Sequence, residues 1–194
     1  MIMRMSLHSM WADIKHLYGK GRMKARLALC LLALGATLPA SAQSAVPTLD
    51  RLKVAYVYNF AKFVELPGTE EQPIRLCVVG KDDPYDRMLS LNRRIAQKRE
   101  IQVRRDVPLG QLKDCGIVFV GATESRQLPT VVRQLGNAPV LLISDDRLAV
   151  DQGAHLVLLH NDDRVEFEVN LHNLQKSNLR ASSQMLKLAR TVIR

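Results

Sequence analysis

Three short, unbroken apolar runs constrain this chain more than any other feature. They lie in "IRLCVVG" (74–80), "CGIVFVG" (115–121) and "APVLLISDD" (138–146). Each is short for a buried helix and lacks the alternation of a strand with one wet face, so each reads as a strand covered on both sides. The segments between them alternate in character. "LDRLKVAYVYNFAKFVELP" (49–67) sets Leu52, Ala55, Val57, Phe60, Phe63 and Val64 near helical spacing, with Asp50 at its start and Pro67 at its end. "PYDRMLSLN" (84–92) opens on Pro84, a favoured first helical residue. "REIQVRR" (99–105) alternates as a strand, and "PLGQLKD" (108–114) reads as a turn or short helix. "SRQLPTVVRQLG" (125–136) is a helix that Gly136 stops. "AHLVLLHNDDRVEFEVN" (154–170) is two strands about a polar turn. "LHNLQKSNLRASSQMLKLARTVIR" (171–194) is expected to be mostly helix, with a break near Ser177–Asn178. Strands alternating with helices predict a three-layer α/β sandwich: a mainly parallel sheet, a C-terminal antiparallel hairpin at one edge, and a final helix.

Residues 1–42 read as a leader. Lys24 and Arg26 precede an apolar core from Leu27 to Leu34, and Ala40-Ser41-Ala42 fits the small-x-small pattern of signal-peptide cleavage. The apolar stretch is about half of the ~20 residues that a membrane-spanning helix needs. Cleavage is expected after Ala42, with Met23 a second candidate start. Residues 43–48 read as a flexible lead-in and 49–194 as a single domain. The leader carries six of the 28 basic residues and one of the 19 acidic ones, so the remainder has a net charge of +4 rather than +9. That weakens the case for nucleic-acid binding.

The leader also removes Cys30, leaving Cys77 and Cys115. An even count in an exported chain favours a disulfide, as a structural staple or a switchable bond, with free thiols the remaining option. Two isolated cysteines make no metal site, and no C-x-x-C is present. Asp-Asp pairs at 82–83, 145–146 and 162–163 read first as helix caps and turns. The first two follow strands of the sheet, at the carboxyl edge where α/β folds bind ligands, so a pocket formed by Asp82, Asp83, Ser144 and Asp145 is a second reading. No G-x-G-x-x-G, phosphate loop or G-x-S-x-G occurs, and no catalytic residue, cofactor or metal is expected.

Three surfaces stand out. "RRIAQKREIQVRR" (93–105) is basic and reads as a solvated face or a contact for an acidic partner. Glu166 and Glu168 alternate with Val165, Phe167 and Val169, giving a strand with one acidic face. Tyr56, Tyr58, Phe60 and Phe63 crowd one helix, as core packing or as a groove.

Taken in order, "AYVYNFAKFVELP", "IRLCVVG", "CGIVFVG", "LLISDD" with "QGAHLVLL", "RVEFEVN" and "LRASSQMLKLA" resemble the YfiR family of periplasmic proteins over nearly all of 50–192. The resemblance implies a Rossmann-like, non-enzymatic, exported domain, often dimeric. It implies repression of an inner-membrane diguanylate cyclase through that enzyme's periplasmic sensor domain, with redox or envelope stress releasing the hold and raising cyclic di-GMP and biofilm growth. Cys77 and Cys115 match the family's pair, and its motif positions fall on Asn59, Phe60, Phe63, Pro67, Phe167, Asn170, Leu186 and Leu188. Leu66-Pro67 stands where the family often has Trp-Pro, and a second cysteine pair is absent. On this reading Phe167, Glu168, Leu171 and Leu174 are expected to meet the partner. A small-molecule sensor is the alternative, and a hydrolase lacks a recognisable nucleophile–base pair.

Overall fold

A computed structural model describes residues 49–80, 83–161 and 164–194, with 83–85 as backbone only. The expected leader 1–42, the lead-in 43–48, Asp82 and the 162–163 pair lie outside the described residues. The elements run α1 (Leu49–Phe63), β1 (Val64–Glu65), β2 (Ile74–Val79), α2 (Asp83–Met88), β3 (Ile95–Ala96), β4 (Arg99–Arg104), β5 (Ile117–Val120), α3 (Leu128–Leu135), β6 (Leu141–Ser144), β7 (Leu156–Asn161), β8 (Arg164–Asn170), α4 (Leu171–Lys176), β9 (Arg180–Ala181), α5 (Ser183–Leu188) and β10 (Thr191–Ile193). Single 3₁₀ turns fill several connections, among them Leu109–Asp114 after Pro108 and Arg147–Val150 after Asp146.

The main sheet has eight strands in the order β10-β8-β7-β6-β5-β2-β4-β3. Its centre, β4-β2-β5-β6-β7, is parallel, and the winding reverses between β2 and β5. This is the order of a doubly wound α/β domain with a topological switch point. The two faces explain the unbroken apolar runs. Along β2, Leu76 and Val78 enter one core while Cys77 and Val79 enter the other; along β5, Ile117 and Phe119 part from Val118 and Val120 in the same way. Helix α1, with Met88, Leu91, Leu174 and Met185, covers the first face. Helix α3, through Leu128, Val131 and Leu135, covers the second with Leu112, Ala149 and Val150. The predicted three-layer sandwich is therefore the architecture observed.

Two local differences have physical causes. Helix α3 begins at Leu128, because Pro129 fits only in a first turn, and a 3₁₀ segment Ala122–Gln127 precedes it. The C-terminal stretch breaks where expected, with Asn178 in a left-handed conformation (φ 55°), but it does not end as a helix. Two six-residue helices, capped by Asn170 and Ser182, are followed by strand β10. Thr191, Val192 and Ile193 are consecutive β-branched residues, and they pair in parallel with β8 at Thr191↔Glu168 and Val192↔Val169. The hairpin β7–β8 is antiparallel as expected (Leu158↔Phe167), yet β10 rather than the hairpin forms the edge of the sheet.

Candidate functional site

Cys77 and Cys115 are joined in a disulfide, with Cα atoms 6.1 Å apart and a sequence separation of 38. Cys77 lies mid-strand in β2 and Cys115 just before β5, so the bond ties the two strands at which the winding reverses. Both cysteines belong to the second core. Two open clefts flank them, the larger at the amino end of the sheet. The larger, about 300 Å³, is lined by Gly68, Gln72, Arg75, Arg99, Lys113 and Cys115 among others. The smaller, about 170 Å³, is lined by Arg75, Cys77, Arg104, Asp114 and Cys115 among others.

The opposite, carboxyl edge places the expected pocket residues as follows. Ser144 is fully buried; its hydroxyl donates to the Val120 carbonyl at 2.7 Å and accepts from the Asp146 amide at 3.1 Å. Asp145 accepts from Lys53 at 2.6 Å and from the Ala122 amide at 2.6 Å. Those groups stitch α1 and the turn after β5 to β6, and both are consumed within the fold. Asp83 opens α2, and Asp82 lies outside the described residues. The cleft at this edge sits instead beside the switch point: about 440 Å³, lined by Gly80, Asp106, Val107, Glu124 and Gln127 among others. Gly80 is required there, since at φ +119° a Cβ would come within 2.8 Å of the Glu124 side chain.

The expected contact surface needs correction. Phe167 is 3% exposed and Leu174 0%. Phe167 packs edge-on to Phe60 at 5.1 Å and against Tyr56 at 5.6 Å, because odd-numbered positions of β8 face α1. Neither side chain is available to a partner. Glu168 and Leu171 are half-buried and keep an outward aspect. Glu166 pairs with Arg190 at 3.4 Å, and Leu188, just before β10, is 77% exposed.

The aromatic helix and the basic stretch, which read as separate features, form one surface. The Tyr58 hydroxyl donates to the Ile95 carbonyl at 2.8 Å, and the Arg94 guanidinium lies 5.0 Å from the Tyr58 ring centroid. Between β3 and β4, Gln97 and Lys98 are both left-handed (φ 50° and 62°), the geometry of a two-residue hairpin turn. Gln97 turns this to use: its amide donates to the Ala61 and Val64 carbonyls, each at 2.7 Å, satisfying one acceptor in the last turn of α1 and one in β1. A groove of about 690 Å³ runs beside this surface, lined by Asp50, Val54, Tyr58, Arg87 and Arg94 among others.

Two buried residues carry roles that sequence reasoning did not assign. Arg99, grouped with the solvated basic residues, is 6% exposed; it donates to the Gln72 carbonyl at 2.7 Å and the Pro67 carbonyl at 2.9 Å, and burial pushes its pKa down. The inward register of β4, with Arg99, Ile101 and Val103 buried, was its only signal. His155 accepts from the Leu142 amide through Nδ1 at 2.9 Å, which leaves Nε2 to donate to Ser177 Oγ at 3.0 Å. Burial holds its pKa near 4, so the ring is neutral and joins β6 to the end of α4.

The described residues contain no cluster of three metal-ligating side chains and no helix long and apolar enough to cross a membrane. Among solved structures, the chain resembles a conserved domain protein from Vibrio cholerae O1 biovar El Tor strain N16961 (TM-score 0.52, 8% identity), covering 75% of this chain and 60% of that one. It also resembles the ABC domain in complex with L-Trp from Streptococcus pneumonia (TM-score 0.47, 11% identity), covering 61% and 55% respectively. The chain thus spans about 60% of the length of the Vibrio protein, and at 8% identity the likeness is one of fold. The sequence matches the family model described as YfiR/HmsC-like (DUF4154) over residues 50–190. With nearly the whole described domain inside that match, the chain belongs to the YfiR/HmsC-like family, a family of periplasmic regulators.

Proposed function

We propose that this protein is a periplasmic regulatory binding protein that represses an inner-membrane diguanylate cyclase by binding its periplasmic sensor domain. The observation that carries the reading is the family match across residues 50–190. The signal-like leader, cleaved after Ala42, supports export to the periplasm as a single domain from residue 49. Repression requires the protein to bind the inactive state of the cyclase more tightly than the active one, by roughly 5 kcal/mol to move a mostly active population to mostly inactive. The contact surface is centred on Glu168 and Leu171, extended by the exposed Leu188 rather than by Phe167 or Leu174. The protein acts as a homodimer without enzymatic chemistry. Reduction of Cys77–Cys115 is the release signal: it removes the covalent tie between β2 and β5 at the seam of the fold, leaving only their hydrogen-bonded pairing. The test is co-purification from membranes with and without reductant, alongside cyclic di-GMP measurement. Capture of a cyclase by oxidised protein, loss of capture on reduction and higher cyclic di-GMP in a Glu168→Lys strain are expected; unchanged capture and cyclic di-GMP would refute the reading.

A second reading rests on the 440 Å³ cleft at the switch point, where doubly wound folds place ligands. There the protein senses a small molecule held by Gly80, Asp106, Glu124 and Gln127. Thermal-shift screening of envelope metabolites, repeated with Glu124→Ala, separates it from the first.

A further inference from the structure

We infer that the 300 Å³ cleft at the amino edge of the sheet is an oxyanion-binding site, taking a small phosphate or carboxylate ligand. Its anchor is Arg99, a residue more than nine-tenths buried whose guanidinium reaches the cleft wall. Its partners are all backbone carbonyls: Gln72, Pro67, Leu66 and Pro73. Among the described residues no carboxylate pairs with it, so a full positive charge lies at the cleft wall with only dipoles to offset it. One donor atom is underused. Nη2 makes only a long 3.4 Å bond to the Pro73 carbonyl. The space beside it is open because residue 68 is glycine: at φ +112°, a Cβ there would lie 2.7 Å from Nη2 and 2.9 Å from Gln72 Oε1.

The rest of the lining reinforces the sign. Arg75 and Lys113 are exposed on the same cleft, and Lys113 makes no ion pair among the described residues. Among the described residues Arg75 reaches only the Asp114 carbonyl, at 3.3 Å. Asp114 is the single carboxylate in the lining, against three cations. A planar fork and two exposed cations about an open hollow suit an oxyanion, which accepts several charge-assisted hydrogen bonds at once.

The test is amide NMR on the purified oxidised protein, titrated with sodium phosphate, then sodium acetate, each against sodium chloride at matched ionic strength. Saturable shifts of the Gly68 and Gly116 signals are expected, half-complete at millimolar phosphate or below. Lys113→Glu and Arg75→Glu should each weaken binding at least about tenfold, through the loss of one charge-assisted contact and the repulsion of the new carboxylate. Arg104→Glu, which lines the neighbouring cleft, should leave it unchanged. Saturation by acetate as well as phosphate supports a general oxyanion site, and by one alone supports that ligand class. Equal shifts in chloride, or saturation indifferent to Lys113 and Arg75, would overturn the assignment.

Discussion

The buried imidazole of His155 gives the fold an acid limit that can be calculated. Its pKa is near 4 in the folded chain, against about 6.5 for a free histidine. Between those values the unfolded chain binds a proton that the folded chain refuses. Stability from this group is therefore complete above pH 6.5 and is lost as pH falls toward 4. The limiting loss is about 3 kcal/mol, most of which has gone by pH 4.5. The geometry says why the proton is refused. Nδ1 is occupied as acceptor for the Leu142 amide, so protonation there breaks a 2.9 Å bond inside the sheet while burying a charge. Asparagine offers a comparable test, since its carbonyl can accept from Leu142 but cannot take up a proton. Urea unfolding followed by far-UV circular dichroism suits the domain, whose residues 49–194 contain no tryptophan. At pH 7 the His155→Asn variant should be less stable, having lost Ser177. By pH 4.5 the gap should close by about 2–3 kcal/mol. His160 and His172 are exposed and shared by both proteins, so they cancel in the difference. Parallel stability curves from pH 7 to pH 4.5 would refute the neutral-imidazole assignment.

Other outcomes follow from the same geometry. Replacing both Cys77 and Cys115 by serine should cost about 4 kcal/mol in urea unfolding, the loop-closure value for a bridge of this span. Gln97→Ala should destabilise by about 2 kcal/mol through two lost bonds, one to α1 and one to β1, and Gln97→Gly by about 1 kcal/mol less, because glycine removes the left-handed strain. Differential scanning calorimetry checks the order of the two. Phe167→Ala should cost about 3–5 kcal/mol as a core cavity, whereas Glu168→Lys should change stability by under about 0.5 kcal/mol. A thermal melt that ranks them the other way would reverse the division between core and surface on β8.

The layered fold was legible because a strand buried on both faces leaves a mark no other element leaves: Ile117–Val120 and Leu141–Ser144 are apolar almost throughout. The disulfide was legible from cysteine count and compartment. Less visible was whatever depended on which side of an element faces inward. Phe167 and Leu174 look like recognition residues in a string of letters; the register of β8 against α1 puts Phe167 in the core, and the inward face of α4 puts Leu174 there. Arg99 hid among exposed basic neighbours for the same reason in reverse. Asp145 was placed correctly at the end of a strand, but its partner Lys53 is 92 residues away, and no local pattern reveals a pair across that distance. The strand Thr191–Ile193 was lost to the helical momentum of the preceding residues; its β-branched run was the neglected clue.

The bridge between β2 and β5 also decides how the molecule responds to load. Those neighbours run parallel, paired from Leu76↔Ile117 to Val79↔Val120, and a pull along them would shear all four rungs together. With the sulfurs joined, such a pull meets a covalent stop before the rungs part. Once they separate, only backbone hydrogen bonds and side-chain friction resist, so stretched single molecules should show the seam as tough when oxidised and yielding when reduced.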